Sequence, residues 1–368
     1  MRDRKRSRPT IAGALIALLM GVVFLTLLSE AILRVAMPNW REYASAWFMV
    51  LNHTPGYADV TLGRPGFDGF FSQNNGDFRS HIRINDFGLR DDEPVTAANG
   101  RLWVIGDSMS FGWGVERDRI YTQVIGEHLA VDTYNVAGPG TNVCGWQTLY
   151  GRMPKEVVPA AVVVGLTIEN RMAVYDCPAE VRDAEAAQHR PPPSTTMGEL
   201  LDPMTTKMYL TAHSALYNFF AVSLKRVGAF ERSLEAVGVV RKPQMLMHDQ
   251  HSAEEAAKMV ETTADALRDL RAMVPPEIPF LVVLFPARFE IRDGNAYFHD
   301  LRVAEAEALA ARGIATLDLL PQFKQAGIEG THFAHDGHWS EAGHRIAGEA
   351  IAGWFSDNGL FPRRTAEH

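Results

Sequence analysis

Cysteine is scarce in this 368-residue chain, which has only Cys144 and Cys177. Two cysteines exclude a disulfide-framed scaffold and a multi-cysteine zinc site. They leave open one bond between them or two separate buried thiols, since thiols often pack as small hydrophobes. Basic runs are missing outside the N-terminus and the net charge is −8, which argues against a nucleic-acid partner. Internal repeats are missing too. After the N-terminus no apolar run reaches membrane length, since residues 162–168 and 280–285 are strand-length. Apolar content of 46% and charge of 22% fit a globular chain with a sizeable core.

The N-terminus differs from the rest. Arg2, Arg4, Lys5, Arg6 and Arg8 precede residues 11–28, which carry no charge, and the first acid after them is Glu30. That run just reaches the length of a spanning helix, and residues 31–37 extend it if Glu30 and Arg34 sit at the interface. Basic residues ahead of the span predict a cytoplasmic N-terminus, with everything after it outside. A cleaved signal peptide is the rival reading; the long apolar core and the lack of a small-x-small site favour an uncleaved anchor. The expected organisation is a basic cytoplasmic tail (1–10), a transmembrane anchor (11–36), a membrane-proximal region (37–100) and a main domain (101–360) with an insertion at about 171–250. The expected location is the inner (cytoplasmic) membrane, single-pass, with the main domain periplasmic.

From residue 101 strands and helices alternate. Strands are expected at 102–105, 134–136, 160–168, 280–285 and 315–320. Helices are expected at 117–129, 143–152, 252–273, 299–312 and 340–355, and Ser252 and Glu255 have capping-box spacing. This alternation predicts an α/β fold with a doubly wound, mostly parallel sheet. Residues 171–250 break the rhythm with a proline-rich piece (189–194) and an amphipathic helical part (205–237). An insertion placed there reads as a lid, a substrate wall or plain surface elaboration. Residues 81–94, HIRINDFGLRDDEP, read as a strand and turn that pack against the main domain.

The chemistry starts at residues 101–115, RLWVIGDSMSFGWGV. A buried strand ends abruptly at Gly106-Asp107-Ser108, and a hydroxyl presented at the carboxyl edge of a sheet suits a nucleophile. Asp336-Gly337-His338 before the last helix supplies a general base and the acid that orients it. Gly140, after the second strand, offers a backbone N–H, and Asn170, after the third, a side-chain amide. With the N–H of Ser108 they would form a three-donor oxyanion hole. Asp107 reads as a turn residue. Glu169 and Arg171 read as a surface pair or as substrate contacts, and Trp113 and Trp339 as packing residues. His332, His335, Asp336 and His338 taken as metal ligands lack a fixed ligand geometry, so no metal is expected.

These blocks resemble the SGNH (GDSL-type) hydrolase superfamily. Gly106–Ser108 matches the nucleophile block, Gly140 the glycine block, Asn170 the asparagine block, and Asp336/His338 the final block. The resemblance covers residues 101–170 and 280–354. It departs from the family at GDSMS in place of GDSL and at the Asp-x-His spacing. It implies a flavodoxin-like three-layer α/β/α sandwich, with esterase, lipase-like or acyltransferase activity and no cofactor. Combined with the anchor, it points to a serine-dependent carboxyl-ester hydrolase or O-acyltransferase, its partner an acylated envelope glycan or lipid. The rival from another class is a catalytically inactive binding or scaffold protein of envelope polysaccharide assembly.

Overall fold

The apolar runs fold as their lengths demand. The computed structural model describes residues 11–73, 76–188, 203–226 and 250–362. The basic tail at 1–10, the proline-rich piece at 189–194 and the end of the expected amphipathic part, 227–237, lie outside the described residues. The first long run forms α1 (Ile11–Ala36), a 26-residue helix with no buried residue. It is long and apolar enough to cross a membrane by length and composition.

Residues 37–100 form two antiparallel hairpins: β1 (Met49–Asn52) with β2 (Val60–Gly63), and β3 (Asp68–Ser72) with β4 (Arg79–Arg83). Phe48, Phe71, Phe78, Ile82 and Ile84 from this region share an apolar cluster with Phe111 and Ala137.

The main sheet is built from β5 (Leu102–Gly106), β6 (Thr133–Asn135), β7 (Ala161–Thr167), β8 (Phe280–Phe285) and β9 (Ala315–Asp318). All pairs are parallel and the order is β6-β5-β7-β8-β9. Every residue of β5, β7 and β8 is buried, as continuous apolar β-branched runs require when helices cover both faces. Alternate side chains enter different clusters. Trp103, Ile105, Val162, Val164, Val282 and Leu284 face one, with Trp146 of α4 (Val143–Gly151), Leu267 of α9 (Ala253–Met273) and Leu301 of α11 (Ala296–Ala311). Leu102, Val104, Val163, Leu281, Val283 and Phe285 face the other, with Tyr121 of α3 (Tyr121–Leu129), Phe323 of α12 (Leu320–Ala326) and Ile351 of α14 (Glu341–Asp357). The result is a three-layer α/β/α sandwich.

The boundaries differ from expectation where caps intervene. Residues 117–119 form a separate 3-10 turn ahead of α3. Asn295 accepts from Phe298 N at 3.3 Å and starts α11 three residues before the expected 299. The Ser252/Glu255 capping box forms as read. The cysteine alternatives resolve to a bond: Cys144 of α4 is joined to Cys177, the first residue of α6 (Cys177–Gln188) in the insertion. The amphipathic part is broken into α7 (Pro203–His213) and α8 (Ala215–Arg226).

In this strand order the chain leaves β5 toward β6 on one side and returns to β7 on the other. The carboxyl ends of β5 and β7 therefore flank the crevice where doubly wound sheets place their sites.

Candidate active site

At the end of β5 the chain turns into α2 (Ser108–Phe111). Asp107 caps it, its carboxylate accepting from Met109 N at 2.9 Å. The turn folds back onto the strand ends so closely that only glycine fits. A Cβ on Gly106 would meet Ser110 Oγ at 2.1 Å, and one on its register partner Gly165 would meet the Phe285 ring at 2.4 Å. Ser108 is left half-buried at the crevice.

Its hydroxyl donates to His338 Nε2 at 2.8 Å. On the other side of that ring, Nδ1–H donates to Asp336 Oδ1. The same Oδ1 accepts from the backbone N–H of His338 at 3.0 Å. That double acceptance explains the Asp-x-His spacing: two residues suffice when one oxygen takes both the ring and the backbone donor of a turn. Burial alone would raise the Asp336 pKa. The charge of His338, its two hydrogen bonds and the nearby Arg288 outweigh burial and hold the carboxyl below its ordinary value. An ionised Asp336 keeps the proton on Nδ1 and leaves Nε2 free to accept.

The loop carrying His338 is closed at its base. Ser340 N donates to Thr331 O and Phe333 N to His338 O, both at 3.0 Å. Trp339 is buried against Phe285 and Phe323, with ring centroids at 4.4 and 4.8 Å. Its tip is held from the 37–100 region. Asp77 accepts from His335 N and Nδ1, both at 2.7 Å, and Phe78 packs on Phe333. Trp113 stacks on the His338 ring at 5.4 Å and meets Phe71 edge-on. Trp113 thus packs between the His338 ring and the Phe48–Phe71 cluster, and Trp339 packs in the core, as the packing reading has them.

Glu169 and Arg171, read as a surface pair or as substrate contacts, each have a partner on another element. Glu169 is buried and accepts from Arg288 N at 2.9 Å and from its guanidinium, behind Gly337. Arg171 donates to Asp107 at 2.8 Å, where Thr167 also donates at 3.2 Å. Asp107 therefore caps α2 and joins β5 to the end of β7. The histidines grouped as a metal reading have separate partners: Thr331 for His332, Asp77 for His335, and Ser108 with Asp336 for His338. Burial pushes His332 down to about 3 and keeps it neutral.

Gly140 lies on the turn after β6 and Asn170 in the one-turn helix Ile168–Arg171 after β7, and both are exposed. Gly140 has φ +76°, a value at which glycine is unstrained. Its loop lies along the end of β5, since Gly138 N and Thr141 Oγ1 donate to Gly106 O at 3.1 and 3.2 Å. Among the described residues neither Gly140 nor Asn170 is hydrogen-bonded to Ser108, Asp336 or His338.

Sequence reading missed Asp77 and also Arg90, in the stretch taken as packing. Arg90 is fully buried, and its guanidinium donates to the carbonyls of Phe111, Gly112 and Val115 and to His81 O. It therefore ties the loop after Ser108 to β4. Burial lowers its pKa to about 9, so it remains a cation at neutral pH. A single arginine between Leu89 and Asp91 carries no local signal of that role.

No family model matches the chain, and no curated protein matches it. Solved structures do. A putative lipolytic protein of the G-D-S-L family from Desulfitobacterium hafniense is 12% identical, with TM-score 0.34 over 69% of this chain and 99% of that one. A member of the same family from Veillonella parvula is 13% identical, with TM-score 0.37 over 69% and 97%. An acetyl xylan esterase from Butyrivibrio proteoclasticus is 12% identical, with TM-score 0.35 over 71% of this chain and 64% of that one.

Proposed function

We propose that the chain is a serine-dependent carboxyl-ester hydrolase or O-acyltransferase. The observation that carries this reading is the hydrogen-bonded series from Ser108 Oγ through His338 to Asp336. Ser108 Oγ attacks the ester carbonyl carbon while its proton passes to His338 Nε2. The tetrahedral intermediate places its negative oxygen toward the N–H groups of Ser108 and Gly140 and the amide of Asn170. Collapse breaks the bond to the leaving alcohol, which takes the proton from Nε2 and leaves an acyl-enzyme on Ser108. Water then releases a carboxylic acid, or a sugar hydroxyl takes the acyl group.

The substrate class is an acylated envelope glycan or lipid. Its support is α1 read as an anchor together with the basic residues ahead of it, and in this reading the main domain lies outside the inner (cytoplasmic) membrane, in the periplasm. The Cys144–Cys177 bond fits that side, because disulfides persist in oxidising compartments. The divisions at residues 10, 36 and 100 belong to the same reading.

The test is turnover of p-nitrophenyl acetate and labelling by a fluorophosphonate. Both are expected in the full chain and absent in Ser108→Ala. Labelling that survives Ser108→Ala removes Ser108 from the mechanism. A native chain that neither turns over ester nor labels supports the inactive binding role.

A further inference from the structure

The insertion is seated on the end of the anchor helix. Glu30 of α1 accepts from Ser214 Oγ, Ala215 N and Leu216 N, each at 2.9 Å. A carboxylate from one helix thereby caps the first turn of another, satisfying donors that α8 cannot satisfy itself. Arg34, one turn further on, donates to Glu30 at 2.7 Å and to His213 O, the last residue of α7, at 2.8 Å. Asn218 of α8 is buried and donates to Trp40 O and Thr211 O, both at 2.8 Å. The corner between α7 and α8 is therefore fixed to α1 and to the residues that follow it.

The height of this seat along α1 is informative. At 1.5 Å per residue, Glu30 lies about 29 Å from Ile11 along the helix. The hydrocarbon of a bilayer is about 30 Å thick. A helix that enters at Ile11 thus brings Glu30 and Arg34 out at the far headgroup boundary, and the α7–α8 corner with them. Trp40, beneath the guanidinium groups of Arg34 and Arg41 at 4.9 and 5.1 Å, stands at the same level, where tryptophan is enriched. Both helices carry large apolar side chains open to solvent: Met208 (65% exposed), Tyr209 (58%), Phe219 (40%) and Phe220 (51%). Surface apolar groups scattered singly need no explanation, but two pairs on two helices joined to a spanning segment do.

We propose that α7 and α8 form a hairpin that lies in the headgroup layer of the bilayer crossed by α1, giving the insertion a lipid contact of its own. The proposal rests on the reading of α1 as a membrane anchor. It makes the main domain a body docked on the membrane surface rather than one swinging on residues 37–48. Amphipathic helices at an interface bury their apolar face about 5–10 Å deep, which suits aromatic and methionine side chains.

The test uses the full chain in phosphatidylcholine/phosphatidylglycerol vesicles, with an NBD label attached after Met208→Cys or Phe220→Cys. Glu307→Cys on α11 is the control, and Met20→Cys reports on the anchor itself. Lipids doxyl-labelled at carbon 5 are expected to quench labels at 208 and 220 at least threefold more than the label at 307. Lipids labelled at carbon 12 are expected to quench position 20. Quenching at 20 with 208 and 220 no better than 307 overturns the hairpin and leaves the anchor intact. No quenching at 20 removes the anchor reading itself. Energy transfer between chains that grows with protein density, without lipid quenching at 208 and 220, makes the surface a contact between copies and overturns the proposal. Glu30→Ala is expected to at least halve quenching at 220 while leaving position 20 unchanged. Unchanged quenching at 220 overturns the seat.

Discussion

The turn that carries Ser108 and the loop that carries His338 meet at one hydrogen bond of 2.8 Å, yet they are held differently. The serine turn grows from the middle of the sheet. It follows a fully buried strand and is pressed against Gly106 and Gly165, with Asp107 and Arg90 locking it on either side. The histidine loop has a core-buried foot in Trp339, but its tip depends on Asp77 and Phe78, about 250 residues earlier in the chain. Ser108 is thus positioned by the main sheet, whereas the loop of His338 depends on an accessory hairpin. Damage on the first side should cost stability, and damage on the second should cost turnover.

The largest expected effect tests whether the two sides act as one unit. Ser108→Ala and His338→Ala should each lower p-nitrophenyl acetate turnover by a factor of about 10³ or more, with the double variant no worse than either. A His338→Ala chain that keeps most of its turnover breaks the comparison. Next, Gly106→Val forces side-chain atoms into Ser110, whose Oγ lies 2.1 Å from even a Cβ at that position, and should cost about 3 kcal/mol in urea unfolding.

A lesion remote from both sides sharpens the contrast. Glu305 of α11 is buried, and its carboxyl oxygens have no hydrogen-bond partner among the described residues. Burial raises its pKa from 4.5 to about 8. The folded chain then holds a proton that the unfolded chain releases, so stability falls as pH rises from about 4.5 to about 8. Between pH 5 and pH 7 the loss is on the order of 2 kcal/mol. Glu305→Gln should flatten that slope in thermal unfolding and leave turnover per folded molecule unchanged. The smallest effect belongs to the loop tip. Asp77→Ala should lower turnover about tenfold, through a misplaced base, while shifting unfolding by no more than about 1 kcal/mol. The reverse pattern, lost stability with full turnover, would make the hairpin a structural prop only.

The same contrast explains what could be read in advance. The five strands, their parallel pairing and the serine turn were legible because each is written in a few consecutive residues: apolar runs, a glycine break, a cap. His338 and Asp336 were legible as residue types ahead of a capped helix. Asp77 and Arg90 were not, since their partners lie 258 and 9 to 25 positions away and nothing local marks them. The partners of Glu169 and Arg171 were not legible for a related reason. Neighbours in sequence on a short turn pointed to different elements, Arg288 and Asp107. The break at Ser214 within the amphipathic part was not legible, because the Glu30 that accepts from its hydroxyl sits in α1.

The Cys144–Cys177 bond fastens the base of the insertion. It buckles α4 to the first residue of α6, so the stretch between them, with β7 and Asn170 on it, is a closed hoop. The first residue of α6 is held to α4 independently of the chain beyond it, and a reducing environment that opened the buckle would leave that end of the hoop to noncovalent contacts alone.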